Sequence, residues 1–306
     1  MTTLSRSIGV GRLPLRYPRL ARRRWRSFAH RRLSQVFEAA RIVPFDYTAR
    51  IIFLSDIHRG DNGPADAFVR NKALFLAVLT HYYREDYTYI EVGDGDELWK
   101  NHRFSDIRRA HACVFDLLHQ FNRHHRLHLI LGNHDLAGKG ARRADKDGIP
   151  AHEGLILRHV RTGQQIFVVH GHQADFTSDR LDRIGRLMVR HIWRRLQLMG
   201  WVETASREDQ RWGRGMAEKR IVDWVVAHRQ ITICGHTHQP ASTGYLAPPY
   251  FNTGSCVYPG YITGLELCAG ELTLVKWTWP SASSQMDALP IQRELLAPPV
   301  QLLSLR

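Results

Sequence analysis

The sequence predicts a layered α/β fold, and three observations carry the prediction. Short β-prone runs alternate with stretches whose apolar residues recur at helical spacing. The alternation reads β-α-β-α-β within about 80 residues, between Arg50 and Leu131. Each run then opens into a loop that sets Asp, Asn or His beside glycine, and open α/β sheets place their sites beyond such strand ends.

The composition bounds the rest. The chain has 306 residues, 43% hydrophobic and 24% charged, a globular balance sufficient for one large domain or two smaller ones. No apolar run approaches a membrane span, and the first residues hold no hydrophobic core of a secretory signal. Cys113, Cys234, Cys256 and Cys268 form no CxxC pair and read as reduced residues of an intracellular protein without a role. The net charge of +14 attracts nucleic acid, anionic membrane or phosphorylated substrates without choosing among them.

In chain order, residues 1–45 read as a basic N-terminal arm, with Arg22-Arg23-Arg24-Trp25-Arg26 and Arg31-Arg32 concentrating charge before the first strand. A solvated, partly disordered arm is one reading. An arm resting on anionic lipid or RNA, aided by Trp25 and Phe28, is another, and the Arg-rich start is also similar to an organelle transit peptide. A helical turn over 33–40 should stop at Pro44. Strands follow at 50–54, 88–92, 127–131, 155–160, 165–169 and 231–234, then 250–252, 261–267 and 271–277. Helices are expected over 67–84 and 104–124, the second with Ile107, Val114, Leu118 and Phe121 on one face. Residues 176–229 read as a helical cap inserted in a domain spanning 46–278. Its first helix has a stripe of Leu181, Ile184, Met188, Ile192 and Leu196 among arginines; its second, over 215–228, carries Ile221, Trp224 and Val225. Residues 279–306 read as a tail of low order.

Five loops carry the chemistry: Asp56-Ile57-His58, Gly93-Asp94, Gly132-Asn133-His134-Asp135, His170-Gly171-His172 and Gly235-His236-Thr237-His238. Asp-x-His alone is weak, since a turn aspartate with a surface histidine is common. Five such loops in order at successive strand ends are not expected by chance. Oxygen and imidazole donors without thiolate suit divalent Mn, Fe, Zn or Co. A bridging carboxylate with imidazoles on either side suggests two ions, roughly 3.5–4 Å apart as in two-metal hydrolytic sites. Among Asp94, Asp96 and Glu97 the residues alone do not select the bridge.

These five blocks, from about residue 50 to 277, resemble the calcineurin-like metallophosphoesterase superfamily. The resemblance implies an α/β fold of two β-sheets forming a sandwich flanked by helices, here with the helical cap insertion. It implies two divalent ions, manganese first among them. One would be held by Asp56, His58, Asp94 and His238, the other by Asp94, Asn133, His170 and His236, with Asp94 as bridge. The implied reaction is hydrolysis of a phosphate monoester, diester or pyrophosphate by a hydroxide held between the ions. His134 would act on the leaving oxygen as general acid, with Asp135 orienting it. Glu97, His172 and Arg59 are expected to contact ligands or substrate, and Trp99 either packs under the site or touches substrate. Gly93-Asp94-x-x-Glu97-x-Trp99 and the helical insertion are most similar to the UDP-2,3-diacylglucosamine pyrophosphohydrolase-like branch. That branch has arginine where this chain has His134 and aspartate where it has His172.

The expected activity is therefore that of a metal-dependent phosphoric ester hydrolase acting on a phosphorylated substrate, lipid- or nucleotide-linked, in the cytoplasm or at an anionic membrane surface reached through the arm or cap. No protein partner is implied. Two other classes are a non-catalytic metal-binding scaffold, which would tend to lose ligands, and a membrane or nucleic-acid binder working through the basic arm.

Overall fold

A computed structural model describes residues 19–101, 103–135, 145–175, 207–243, 249–280 and 291–302. The first sheet contains β2 (Arg50–Leu54), β3 (Thr88–Val92), β4 (Leu127–Ile130) and β6 (Ile149–His152), parallel to one another. One side is extended by β5 (Asp145–Lys146), the other by antiparallel β12 (Tyr261–Cys268), β13 (Glu271–Thr278) and β14 (Gln292–Leu295), giving the order β14-β13-β12-β2-β3-β4-β6-β5, with β15 (Val300–Gln301) also on β13. The second sheet has the order β1-β7-β8-β9-β11-β10, from β1 (Arg41–Phe45), β7 (Gly154–His159), β8 (Gln165–Val169), β9 (Ile231–Cys234), β10 (Ala241–Ser242) and β11 (Tyr250–Asn252).

Alternation along the strands explains the layering, because successive side chains point to opposite faces. Ile51 and Phe53 of β2, with Ile90 and Val92 of β3, meet Ile166 and Val168 of β8 and Ile231 and Ile233 of β9 in a core between the sheets. Their neighbours Ile52, Leu54 and Tyr89 face outward onto α2 (Lys72–Arg84), α3 (Phe104–Ala110) and α4 (Ala112–Arg123) through Phe75, Leu79, Ile107 and Phe121. On the far side Phe167, Val169 and Cys234 pack on α1 (Arg19–Ala39) and α5 (Arg207–His228) through Leu33, Val36, Ile221 and Trp224. The result is helix, sheet, sheet, helix, each face covered. No helix of the described residues is long and apolar enough to cross a membrane.

Several expectations change. Residues 19–45 are not an arm: α1 is a long helix whose Ala29, Leu33 and Val36 are buried, and β1 pairs with β7 in parallel. Phe37 of α1 lies edge-on to Phe167 at 5.2 Å, and the Trp224 indole N–H donates to Ser34 Oγ at 3.0 Å. Pro44 does not prevent strand formation because β1 is an edge strand, where a missing N–H is tolerated. Residues 215–228, the expected second helix of the insertion, pack on the domain. They lie within α5, which covers the second sheet, with Trp224 and Val225 1% exposed. The stripe from Leu181 to Leu196 and the Arg22–Arg26 side chains lie outside the described residues. The expected low-order tail contributes β14 and β15, and the 104–124 helix breaks at His111, whose buried ring meets the buried Asp66 carboxylate at 2.8 Å.

Register decides where the loops emerge. Leu54 pairs with Glu91 and Val92 with Ile130, so β2, β3 and β4 end flush, and Val168 pairs with Ile233 across β8 and β9. Both sheets thus open their carboxyl-terminal loops at one edge of the sandwich.

Candidate metal centre

The loops at that edge are tied together by their backbones. The amides of Asp56, Ile57 and His58 donate to the carbonyls of Gly93 and Asp94 at 2.9–3.1 Å, and the Gly235 amide donates to the His170 carbonyl at 3.0 Å. Asp56, His58, Asp94, His236 and His238 all have positive φ, from 51 to 68°. That region is sparsely populated by residues with a side chain, and its concentration at one place marks a strained, over-determined site. Glycine is required at position 93, where φ is 82° and a Cβ would stand 2.5 Å from the His170 ring; at Gly132 a Cβ would overlap the Asp94 carboxylate.

Three donor groups result among the described residues; His58/Glu97/His134 lies to the side, and two adjoin Asp94. In one, His238 Nε2 lies 3.0 Å from Asp56 Oδ1 and 3.3 Å from His58 Nε2, and His58 Nε2 lies 3.8 Å from Asp94 Oδ2. In the other, His170 Nε2 lies 3.2 Å from Asp94 Oδ2, and the His170 and His236 rings are 5.1 Å apart. Asp56/His58/His238 and Asp94/His170/His236 each present atoms close enough to share one ion, and Asp94 adjoins both. Asp56 Oδ1, Asn133 Oδ1 and His170 Nε2 are buried without a well-formed hydrogen bond, as are His172 Nδ1 and Gln173 Nε2 in the loop after β8, although buried polar groups are generally paired. The His170 Nδ1–H donates to the Val92 carbonyl at 2.8 Å, which turns Nε2 toward the group. Carboxylate, amide oxygen and imidazole without thiolate fit a divalent first-row ion.

The electrostatics follow from crowding. Burial alone would raise the Asp94 pKa, but His170 and His134 hold it well below the usual carboxylate range. Burial opposes charge on His170, yet Asp94 beside it raises its pKa to about 9. His236 goes the other way, pushed down to about 4 by burial and by His170. His172 is 3% exposed, with its ring 5.6 Å from that of His170; burial and its two neighbouring histidines depress its pKa strongly.

Beside the donors, Glu97 joins two imidazoles. Its Oε1 accepts from His134 Nδ1 at 2.8 Å, and its Oε2 lies 3.3 Å from His58 Nδ1. The His134 amide donates to Asp94 Oδ1 at 2.8 Å, and the Trp99 indole N–H donates to the Asn133 carbonyl at 2.7 Å.

Two expected roles change. Asp135 does not orient His134: its carboxylate accepts the Gly132 and Asp96 amides at 2.7 and 2.8 Å and pairs with Lys146 at 2.5 Å. Its position in the turn aims it beneath the loop, and Glu97 takes the place at the imidazole. Arg59 cannot reach a substrate. It is fully buried, bidentate on Glu91 at 2.7 and 2.8 Å and bonded to Asp96 at 2.8 Å.

Sequence reasoning missed Glu91 and Lys146, and saw residues 251–256 only as a family-like block without the support they give the loops. Asn252 Nδ2 donates to the Gly235 carbonyl at 2.7 Å, and Ser255 Oγ to the Asp56 carbonyl at 3.2 Å. A charged Glu91 inside an apolar strand was the available signal; nothing in the local sequence distinguishes Lys146 from a surface lysine.

Comparison with known proteins adds a family. The model of the calcineurin-like phosphoesterase family matches residues 49–240, which includes all five loops. No curated protein matches the sequence. Among solved structures, a predicted phosphoesterase from Streptococcus pneumoniae TIGR4 is 14% identical, over 81% of this chain and 97% of its own, with a TM-score of 0.35. A single mutant of Vps29 from Entamoeba histolytica is 16% identical over 81% and 99%, with a TM-score of 0.40. Vacuolar Protein Sorting 29 of Cryptosporidium parvum is 11% identical over 83% and 99%, with a TM-score of 0.39.

Proposed function

The chain belongs to the calcineurin-like phosphoesterase family, and from that premise we propose that it hydrolyses phosphate esters with the help of two divalent ions. Asp56, His58, Asp94 and His238 would hold one ion, and Asp94, Asn133, His170 and His236 the other. The observation that carries the reading is the convergence of two buried donor groups, Asp56/His58/His238 and Asp94/His170/His236, in which Asp56 Oδ1, His170 Nε2 and the adjacent Asn133 Oδ1 lack a well-formed hydrogen bond. Burying polar atoms without well-formed hydrogen bonds is costly, and a cation is the partner this donor set suits. Ions bound there would draw charge from phosphoryl oxygens and acidify a water.

The protein's own groups supply the rest. Glu97 fixes the His134 Nδ1 proton and leaves Nε2 to deliver one to a leaving oxygen. Burial opposes charge on that ring, but Glu97 and Asp94 raise its pKa above the ordinary value, so it keeps its proton to higher pH. The contact of Glu97 with His58 Nδ1 likewise leaves His58 Nε2 free to ligate. Imidazole and carboxylate donors accommodate manganese, iron, zinc or cobalt, with manganese the first to test.

Protein stripped of metal and then supplied with manganese is expected to hydrolyse an aryl phosphate monoester or diester. A panel of phosphoproteins, nucleotides, nucleotide-sugar diphosphates and phospholipids then selects the substrate. Absence of turnover with every first-row divalent ion, together with an unchanged D94N variant, overturns the reading.

A further inference from the structure

Lys146 lies outside all five loops. It is on the short strand β5, at the rim of the first sheet, yet it is 4% exposed. Its Nζ reaches Asp135 at 2.5 Å, Asp96 at 2.9 Å and Glu91 at 3.7 Å. Each of those carboxylates holds a different part of the site's floor. Asp135 fixes the Gly132 and Asp96 amides, Asp96 bonds Arg59, and Arg59 with Glu91 closes the ring toward the loop after β2. A Cβ at Gly95 would collide with Glu91 and Arg59, so the loop after β3 rests directly on this cluster.

We propose that Lys146 is a positioning residue for the metal centre: by pairing with Asp135 and Asp96 it keeps the loop bearing Asn133 and His134 in register with the loop bearing Asp94. The inference rests on the phosphoesterase reading for what the centre does, but its own content is mechanical and electrostatic. Among the described residues the cluster has three carboxylates, Glu91, Asp96 and Asp135, and two cations, Arg59 and Lys146. Removing Lys146 leaves two buried negative charges uncompensated, and the two carboxylates facing the gap repel each other. Asp135 is the one with an escape, since it sits in a turn. When it moves it releases the Gly132 amide, one residue before Asn133 and two before His134. Burial disfavours the ammonium, but Asp135, Asp96 and Glu91 raise its pKa, so the lysine remains charged.

The test uses the full chain with K146M, K146R and K146M/D96N. In the double variant the neutral amide at position 96 lowers the buried charge and can donate to Asp135. Three quantities are read: near-ultraviolet circular dichroism, manganese affinity by titration, and kcat and KM on an aryl phosphate. The expected result is that K146M keeps the wild-type dichroism, binds manganese at least tenfold more weakly and loses at least tenfold in kcat with KM within threefold. K146R and K146M/D96N should each recover most of both losses. A K146M protein with a lower melting temperature but wild-type manganese affinity and kcat overturns the proposal, because Lys146 then only stabilises the fold. If K146M does not fold, the double variant decides: recovery of manganese affinity supports the proposal, and a folded double variant that still fails to bind overturns it. Wild-type protein without manganese binding or turnover would instead sink the phosphoesterase reading.

Discussion

The indole of Trp99 lies almost flat against the imidazole of His134, with ring centroids 4.2 Å apart and planes inclined by 23°. Together with the Glu97 contact on Nδ1, the stack leaves His134 little freedom to rotate. A general acid held in this way loses no orientation when substrate arrives.

If His134 is the general acid, the H134A variant should keep the wild-type metal content and lose about 10²–10⁴-fold in kcat, the usual share of a positioned acid. W99A should lose about tenfold, equivalent to about 1.4 kcal/mol of barrier, by freeing the ring. Metal content by elemental analysis separates these effects from loss of the ions. A W99A protein with wild-type kcat would show that the stack does not position His134.

Asp94 and Asp96 are two residues apart and face different tasks. D94N should abolish metal-dependent turnover, because the amide cannot serve both donor groups. D96N removes one of the two carboxylates on the buried Arg59 while Glu91 stays bidentate on it, a weakening rather than a loss of the pair. That weakening should appear first as a lower denaturant midpoint. Equal kcat losses in the two variants, with stability unchanged, would contradict the assignment.

Metal affinity should rise with pH. Asp94 lifts the His170 pKa to about 9 in the metal-free protein, so the ring is protonated at neutrality and must lose its proton to ligate. Apparent manganese affinity should then increase about tenfold per pH unit for this proton below pH 9 and flatten above it. Isothermal titration in buffers of different ionisation enthalpy measures the released proton. H170A should show a shallower slope.

Acid should act on stability through Asp66. Burial opposes its ionisation, but His111 and the Asn62 and Phe68 amides outweigh burial and lower its pKa. A carboxyl depressed on folding contributes stability above its unfolded pKa, and that contribution is lost as pH falls through the folded value. The wild type should accordingly lose more stability than D66N on acidification below about pH 4. Parallel urea midpoints of the two proteins across that range would refute it.

How much of this was legible depended on range. The candidate donors stand one to four residues past β-prone runs, so their clustering was readable from local pattern, while singling out Asp94 from Asp96 and Glu97 needed the family resemblance. Strands β2, β3, β8 and β9 announced themselves as apolar runs buried on both faces. What hid was whatever owed its structure to distant partners. Strand β1 contains Pro44 and exposed Arg41 and Ile42, and it exists because β7 offers a parallel edge. Asp135 stood beside His134 in sequence and pointed elsewhere, since turn geometry rather than adjacency directs a side chain. Lys146 carries no local mark of burial; its three carboxylates come from the interior of β3 and from the loops after β3 and β4.

The donors are divided between the two sheets: Asp56, His58, Asp94 and Asn133 come from one, His170, His236 and His238 from the other. Ions shared across that divide would act as a cross-brace at the open rim of the sandwich. Any breathing of one sheet against the other would loosen their grip. Chelation would then do more than silence chemistry: it would let the rim part, with faster amide exchange at the ends of β8 and β9 as its trace.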